Sequence, residues 1–308
     1  MTRQRIAAVF ATMDRAATAV ACVRALAAQT RPPEGVVVAD NVSADGTVAA
    51  LEGLAELPFE LIVHRMPENL GNAGGVAAAM ELAFAAGAEA VWILDDDSWP
   101  RAGAVAALLA GGWNPRVVRH ALQVDPRTGR FTWPLQVVAG NGNGWRLAWD
   151  EADLPEGERI RSKSMWTGAL VPKEVRDEVG PVNGELFIRG EDEEYPWRIE
   201  EAGFSFEAVR GAVLDHPGPA ALVHWRLAGK QLFFERGLAD WKLFYKVRNM
   251  VWLKRQQAGG FAAFKMALAY GVIAVACDGL RRVPLLGRAI NDGWRGRLGR
   301  VKAEKLKS

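Results

Sequence analysis

Near residue 90 an apolar segment runs directly into three carboxylates: Val91-Trp92-Ile93-Leu94 is followed by Asp95-Asp96-Asp97. A short apolar run favours a buried strand. Because a buried carboxylate is costly without a cation or hydrogen-bond donors, the strand is predicted to end at Leu94, with the acids just beyond its carboxyl end. Ligands bind at that place in open α/β sheets. Such oxygen ligands suit Mg²⁺ or Mn²⁺ holding nucleotide phosphates, and a solvated acidic loop is the alternative.

The bulk composition restricts the class of protein. With 308 residues, half of them hydrophobic, the chain can bury one large core or two modest ones. A net charge of +2 leaves no overall footprint for nucleic acid. The two cysteines have no metal or disulfide spacing, which fits a reducing compartment. No secretory signal pattern and no apolar run of 18 residues is seen, so a cytoplasmic protein is expected.

The end of the sequence is basic. Residues 281–308 contain nine Lys or Arg against two acids. Such a segment is a solvated end or a surface that meets anionic lipid. Just before it, residues 266–277 form an apolar helix that is predicted to be too short to span a bilayer, and that therefore packs or lies at an interface.

Strand and helix patterns alternate through the first hundred residues. The predicted strands are 6–11, 36–39, 60–64 and 91–94, and the predicted helices include 17–29 and 76–86. This order predicts an α/β fold with a doubly wound, mostly parallel sheet. Polar side chains follow three of the strands: Thr12 and Asp14, Asp40 and Asn41, and Asp95 to Asp97. Since the carboxyl ends of parallel strands share one edge, these residues predict a nucleotide site there.

Four segments together resemble the motifs of family-2 glycosyltransferases. They are Thr12-Met13-Asp14-Arg15, Asp40 to Thr47, Asn69-Leu70-Gly71-Asn72-Ala73-Gly74-Gly75, and Asp95-Asp96-Asp97. The first departs from the family, since Met13-Asp14 stands where Tyr-Asn is usual. The resemblance implies an inverting enzyme with a nucleotide-sugar donor and the GT-A fold. It also implies that Asp95 and Asp97 hold Mn²⁺ or Mg²⁺. Donor contacts are expected from Thr12, Asp14, Asp40, Asn41, Arg65, Asn72 and Asp95.

A second run of acids, Glu191-Asp192-Glu193-Glu194, follows an apolar turn. Taken alone, it indicates the exposed first turn of a helix. It also resembles the family's Asp-Asp-x-Glu acceptor motif, with Glu191 in place of the first Asp. That match makes Asp192 the general base and gives Glu191 and Glu194 supporting roles.

Two further positions are predicted from the second half of the chain. His216 ends an alternating strand over 204–214 and is the favoured third metal ligand, with His224 as the alternative. The helical segment from Phe233 contains Asp240-Trp241-Lys242-Leu243-Phe244-Tyr245-Lys246-Val247-Arg248-Asn249. It resembles the Trp-x-x-Tyr-Tyr-x-x-Arg-Asn segment of galactofuranosyl- and rhamnosyltransferases. Arg248 is therefore expected to meet the donor diphosphate or to cap a loop.

The sequence predicts a GT-A domain over 1–232 and a C-terminal helical region over 233–308 with a basic, membrane-associating tail. Residues 140–145 are predicted to form a flexible turn cluster, and 164–172 a strand that returns to the sheet. The latter segment resembles the one that lines the acceptor side in the family. The predicted function is transfer of a sugar from a dTDP-rhamnose or UDP-galactofuranose class donor to a cell-surface glycan or lipid-linked acceptor. A nucleotidyltransferase and a non-catalytic sugar-binding module are the alternatives. The first would carry a Gly-rich, Lys-bearing loop after the first strand, and the second would lack a base.

Overall fold

The computed structural model describes residues 4–139, 144–163, 165–219, 221–227, 230–302 and 306. The chain forms two compact units. Unit 1 consists of Met1–Asn183 and Tyr195–Gly218, and unit 2 of Gly184–Glu194 and Pro219–Ser308. Unit 2 thus takes in the segment with the second acid run. This division into compact units is separate from the domain boundary that the sequence predicts between residues 232 and 233, and that boundary stays a prediction.

Unit 1 holds the large sheet and its helices. In chain order its elements are β1 (Ile6–Thr12), α1 (Ala16–Ala27), β2 (Gly35–Asp40), α2 (Thr47–Glu52), β3 (Glu60–Arg65), α3 (Gly71–Ala85), β4 (Ala90–Ile93), β5 (Trp99–Pro100), α4 (Ala104–Leu109), β6 (Val117–Val124), β7 (Leu135–Val138), β8 (Trp145–Ala148), β9 (Arg159–Ser162), β10 (Ala169–Pro172) and α5 (Lys173–Val179). Helix α6 (Glu191–Glu201) begins in unit 2 and ends in unit 1, and β11 (Ser205–Asp215) completes the sheet.

The sheet of unit 1 has the order β3-β2-β1-β4-β10-β6-β11-β9-β7-β8, with β5 paired to β11. The first four strands are parallel, with Val9 opposite both Val37 and Ile93. Strand β10 then pairs antiparallel with β4 and with β6, while β6 and β11 are parallel. All seven residues of β1 are buried, as expected for a strand covered by helices on both faces. The predicted α/β class with a doubly wound sheet is therefore confirmed.

Unit 2 contains a hairpin and two helices. They are β12 (Leu222–Leu227), β13 (Lys230–Glu235), α7 (Asp240–Asp278) and α8 (Val283–Arg295). Buried residues of α7 and α8, including Leu243, Phe244 and Leu285, form its core together with Phe187 and Phe234. The C-terminal helical region is confirmed as a set of helices.

Helix α3 begins at Gly71, five residues before the predicted start at Val76. The glycines allow this, because the helix start lies against the sheet: a Cβ on Gly75 would lie 2.7 Å from the Cβ of Ala11. The Asn41 side chain fixes the same turn by accepting from the Leu70 amide and donating to the Gly71 carbonyl. The segment predicted as a glycine loop is therefore the first turn of a helix.

The helix predicted from Phe233 also starts elsewhere. Phe233 and Phe234 belong to β13, which pairs antiparallel with β12, and α7 begins only at Asp240. The cross-strand pairs of the hairpin override the helical pattern of these apolar residues. In the segment predicted as a strand over 164–172, only Ala169–Pro172 is β10, and Ser164 lies outside the described residues. Of the turn cluster 140–145, residues 140–143 lie outside them as well.

The apolar helix predicted over 266–277 is part of a longer element. Helix α7 runs for 39 residues and is kinked at Ala258 and Gly259, where φ is 78° at the glycine. The second half of α7 therefore covers residues 260–278, which is longer than the twelve residues of the predicted helix. By length and composition α7 is sufficient to cross a membrane, and 22% of its most apolar 18-residue window is buried.

Candidate active site

Two carboxylates and an imidazole meet at the carboxyl edge of the unit 1 sheet. Asp95 and Asp97 follow β4, and His216 follows β11. The His216 Nε2 lies 3.4 Å from Asp95 Oδ2 and 3.5 Å from Asp97 Oδ1. Ligand atoms of the three side chains all lie within 4.8 Å of one another. Two carboxylates with one neutral imidazole are a donor set that fits Mn²⁺ or Mg²⁺.

The three consecutive aspartates point in different directions. The Thr167 hydroxyl donates to Asp95 Oδ2 at 2.7 Å, while the Thr12 hydroxyl donates to Asp96 Oδ2 at 2.8 Å. Asp96 is thereby turned away from the histidine and into the sheet edge, where it is buried. Asp95 and Asp97 remain as the pair that faces His216, which is the pair predicted to hold the metal.

The pKa values follow from these contacts. Burial raises the pKa of Asp96 to about 6, although the Arg15 guanidinium acts in the opposite direction. Burial acts to raise the pKa of Asp95 as well, but the hydrogen bond and charge of His216 outweigh it, so that this pKa is lowered. Burial acts to lower the pKa of His216, but the hydrogen bond to Asp95 together with the charges of Asp95 and Asp97 outweighs burial, so that this pKa is raised. Asp95 and His216 thus stabilise each other's charges, whereas burial and the neighbouring carboxylates disfavour the charged form of Asp96.

Arg15 and Thr167 are site residues that the sequence reasoning did not identify. The Arg15 guanidinium donates to Asp97 Oδ2 at 2.7 Å and lies 3.4 Å from Asp96 Oδ1, with its side chain 44% exposed. Thr167 is held beside β4 because the Gly168 amide donates to the Ile93 carbonyl. Arg15 is the last residue of the segment Thr12-Met13-Asp14-Arg15, and its position three residues after the end of β1 could have indicated a place at the sheet edge. Thr167 had no such signal, because it comes from a distant part of the chain.

The residues predicted to contact the donor lie along the same sheet edge and organise its loops. Asp40 is fully buried and accepts from the Ser43 amide at 3.1 Å. Asp14, with φ 52°, accepts from the Ala44 amide at 2.7 Å, and an Arg65 nitrogen donates to the Ser43 carbonyl. Asn41 anchors the start of α3, and Asn72 is the second residue of that helix. Their direct contacts with a donor stay a prediction.

The second acid run forms the first turn of α6. Asp192 is exposed, and its Oδ1 accepts from the Gly190 amide at 2.8 Å. Glu191 and Glu194 are buried, at 3% and 4% exposure. Of the three acids predicted to act in catalysis, Asp192 is therefore the one whose carboxylate reaches solvent. The predicted roles of the three stay predictions.

The loop before Asp192 has an unusual backbone. Phe187 and Arg189 have φ values of 66° and 64°, in the left-handed region that non-glycine residues seldom adopt. The Asn249 side-chain amide donates to the carbonyls of Leu186 and Ile188 at 2.9 and 3.1 Å, and also to that of Arg189. Such strained positions persist where the surrounding structure over-determines them.

Arg248 supports the same loop. Its guanidinium is fully buried and donates to the carbonyls of Leu186 and Gly299, while its Nε donates to Asn249 Oδ1. Burial lowers its pKa to about 10. Of the two roles predicted for Arg248, these contacts are those of a loop cap, and a contact with the donor diphosphate stays a prediction.

Arg189, a residue of this loop, also holds it in place through an ion pair. Arg189 forms a paired contact with Glu235 at 2.7 and 3.1 Å, and Lys246 donates to the same carboxylate at 3.0 Å. Burial acts to raise the pKa of Glu235, but the two cations lower it. The loop from Leu186 to Gly190 is therefore tied to β13 and to α7.

The two histidines predicted as alternatives occupy different settings. His216 is part of the cluster with Asp95 and Asp97. His224 lies on β12 in unit 2, where its ring stacks on Phe233 with 4.7 Å between the ring centroids.

Comparison with known proteins gives the class first. Among solved structures, a mannosyltransferase from Pyrobaculum calidifontis in complex with GDP-Man and Mn²⁺ aligns with a TM-score of 0.54 at 19% identity, over 94% of this chain and 81% of that chain. The Staphylococcus aureus TarS fragment 1–349 in complex with UDP-GlcNAc aligns with a TM-score of 0.53 at 12% identity, over 94% and 80%. The fold is that of the GT-A glycosyltransferases, as predicted.

The sequence comparisons then show which proteins the chain is similar to. Residues 8–111 match the model for glycosyl transferase family 2. The galactofuranosyltransferase GlfT1 of Mycobacterium tuberculosis H37Rv is 32% identical over 198 residues, which are 62% of this chain and 63% of that protein. GlfT1 of Mycolicibacterium smegmatis is 28% identical over 69% of this chain and 70% of its own length. Residues 8–111 are thus similar to family-2 glycosyltransferases, and the chain as a whole is similar to galactofuranosyltransferases. It spans 63% of the length of the M. tuberculosis relative.

Proposed function

We propose that the protein is a metal-dependent, inverting glycosyltransferase that uses UDP-galactofuranose. The observation that carries the proposal is the Asp95–Asp97–His216 cluster at the carboxyl edge of a GT-A sheet. The similarity to galactofuranosyltransferases favours this sugar over the rhamnose of dTDP-rhamnose. The acceptor is a hydroxyl of a cell-surface glycan or lipid-linked saccharide, and the reaction takes place at the cytoplasmic side of the membrane.

On the donor side, Asp95, Asp97 and His216 hold Mn²⁺ or Mg²⁺. When bound, the ion supplies positive charge against the departing diphosphate. Thr12, Asp14, Asp40, Asn41, Arg65 and Asn72 contribute to base, ribose and phosphate binding. Support comes from their shared sheet edge and from the N-terminus of α3, because the start of a helix favours a phosphate.

On the acceptor side, Asp192 is the general base. Its carboxylate takes the proton of the acceptor hydroxyl, whose oxygen forms the bond to the anomeric carbon. The bond from that carbon to the diphosphate oxygen breaks, and the diphosphate leaves with the electron pair. Attack from the face opposite the leaving group inverts the anomeric centre. The exposure of Asp192 beside the buried Glu191 and Glu194 supports this assignment.

A donor screen tests the proposal. The purified chain is incubated with UDP-galactofuranose, dTDP-rhamnose, UDP-glucose or GDP-mannose, with Mn²⁺ or with EDTA, and nucleoside diphosphate release is measured. We expect metal-dependent UDP release from UDP-galactofuranose, with an anomerically inverted product once an acceptor is supplied. Pyrophosphate release from a nucleoside triphosphate and a sugar phosphate would favour a nucleotidyltransferase. Donor binding without turnover would favour a sugar-binding module.

The base assignment is tested by Asp192→Asn, which keeps the shape but cannot accept a proton. We expect the turnover rate to fall about 10² to 10⁴-fold, with donor affinity near that of the wild type. Glu193→Gln, at the exposed neighbouring acid, is the matched control and should keep most activity. Glu191→Gln should be milder than Asp192→Asn. The reverse ranking of these two would move the base to Glu191.

A further inference from the structure

The second half of α7, residues 260–278, has an apolar face without a partner in the described structure. Phe261, Phe264, Leu268 and Val272 are 72%, 56%, 58% and 53% exposed. Their spacing of three and four residues places them on one face of the helix, along about 16 Å. We call these four residues the outer stripe. Of the twelve large apolar side chains exposed in the described part of the chain, six lie between Phe261 and Val283.

The opposite face of the same half-helix is already occupied. Ala263, Ala267 and Ala274 are buried in the core of unit 2, with Leu285 and Leu286 of α8. Ile273 and Tyr270 pack in the same core, so this half of the helix has apolar residues on its inner face and also on its outer face, unlike a helix that only covers a core. The outer stripe is the kind of contiguous apolar patch that marks a docking surface.

The charge around the outer stripe is positive. Between Gly260 and Cys277 the only charged residue is Lys265, whose Nζ lies 4.6 Å from the centre of the Phe261 ring. The exposed Arg281 stands next to Leu280, which is 75% exposed. Residues 281–308 add their excess of seven positive charges. An apolar stripe with basic neighbours complements the headgroups of an anionic bilayer.

We propose that the outer stripe inserts into the interface of an anionic membrane, with α7 in the membrane plane and Lys265 and Arg281 at headgroup level. A spanning helix is disfavoured because the inner face packs on α8 through Leu285, Leu286 and Ala289, and the exposed Arg288 between them would have to enter the hydrocarbon region. A second copy docked stripe to stripe would bring like charges together across the two-fold axis. This surface would hold the enzyme where a lipid-linked acceptor is found. The link to the acceptor rests on the proposed function, whereas membrane binding itself does not.

Vesicle flotation of the full chain tests the surface without reference to activity. Vesicles of phosphatidylcholine alone are compared with equal parts of phosphatidylcholine and phosphatidylglycerol. Wild-type protein should float with the anionic vesicles, and should be released as salt rises. The double variant F264E/L268E should bind at least tenfold more weakly. Lys265→Gln should lose about fivefold, corresponding to roughly 1 kcal/mol per basic residue.

Trp241→Glu is the control for an added carboxylate, because it places one negative charge at an exposed apolar residue in the first half of the same helix. It should float like the wild type. Circular dichroism should show that all variants are folded. Equal flotation with neutral and anionic vesicles would overturn the proposal, as would wild-type binding by F264E/L268E. Resistance to alkaline carbonate extraction would indicate a spanning helix instead. A dimer that only F264E/L268E abolishes would indicate a second copy as the occupant.

Discussion

Asp95, Asp96 and Asp97 are adjacent in sequence but do not have the same partners. Asp95 and Asp97 face His216, whereas Asp96 accepts from Thr12 and is buried. The chain turns at Asp96 and Asp97, where the Ser98 amide donates to the Asp95 carbonyl, and this turn separates the three side chains. The first and third aspartates, Asp95 and Asp97, are therefore the proposed metal ligands. The central one, Asp96, stabilises the edge of the sheet through its hydrogen bond with Thr12.

This difference predicts opposite results for two neighbouring substitutions. Asp97→Ala should reduce Mn²⁺-dependent binding of UDP at least tenfold, because it removes one of three ligand groups. Asp96→Asn should bind nearly as well as the wild type, since an asparagine oxygen can still accept from Thr12. Titration calorimetry with UDP, with and without Mn²⁺, measures both. Unchanged metal-dependent affinity in Asp97→Ala would contradict the site.

The histidines give a second paired test. His216→Ala should weaken Mn²⁺-dependent UDP binding, whereas His224→Ala should leave it unchanged, because the His224 ring stacks on Phe233 in the hairpin. The same titration applies. Weakening by His224→Ala alone would show that the wrong histidine was assigned.

At the residue scale, the sequence could predict which side chains lie near one another when they closely follow strands. Asp95 and Asp97 follow an apolar pattern that ends at Leu94, and His216 follows one that ends at Leu214, so a common sheet edge could be expected for them, while their role in binding a metal stays a prediction. Thr167 could not be found, because it reaches Asp95 from a loop 72 positions away in the chain. The contact of Arg15 with Asp97 spans 82 positions and depends on how β1 and β4 pair.

At the scale of elements, α7 and the loop before α6 act together. Asn249 and Arg248 bind carbonyls of a loop that contains two left-handed non-glycine residues. The Arg-Asn pair in the segment that resembles galactofuranosyltransferases therefore has a structural role. It fixes the chain directly before the proposed base.

Removing this support should affect both stability and turnover. Asn249→Ala deletes the donor to three carbonyls, and should cost about 1–3 kcal/mol in the free energy of unfolding. Turnover should fall while UDP affinity stays near that of the wild type. Asn249→Asp keeps the shape but loses the donating amide, so it should be at least as damaging. Denaturant unfolding and single-turnover rates measure these effects, and a wild-type turnover rate in both variants would refute the positioning role.

A turn after β6 gives a pH-dependent prediction. Hydrogen bonds from Arg127 lower the pKa of Asp125 to about 2. A carboxylate whose folded-state pKa is depressed contributes stability above its unfolded pKa of about 3.9, and loses it as pH falls through the folded value. Asp125→Asn should therefore be less stable than the wild type at neutral pH. The difference should shrink toward zero near pH 2 in denaturant unfolding, and a constant difference at every pH would contradict this cause.

Element types were more predictable than element bounds. The alternating strands and helices of the first hundred residues follow their hydrophobic periods. The starts of α3 and α7 do not, because Gly71 to Gly75 pack against β1 and β2, and because Phe233 and Phe234 pair across a hairpin. Both are tertiary contacts that a local pattern does not contain.

At the scale of the whole molecule, we expect the protein to fold without the metal ion of the proposed site. Arg15 and His216 already counter the charge of the acid cluster. EDTA should therefore leave the melting temperature of the protein nearly unchanged. Mn²⁺ and UDP together should raise the melting temperature. At a UDP concentration of about 100 times its dissociation constant, binding should add about 2.7 kcal/mol to the free energy of unfolding. Thermal scans test this, and unfolding by EDTA alone would indicate a structural metal instead.

The central claim is that Asp95, Asp97 and His216 hold the ion that binds the donor diphosphate. Diffraction from crystals grown with Mn²⁺ and UDP tests it most directly, with data collected at the manganese absorption edge. We predict one anomalous peak between the two aspartates and His216, with the UDP phosphates on it and the nucleoside toward Asp40. A manganese peak elsewhere, or UDP bound away from this edge of the sheet, would contradict the account.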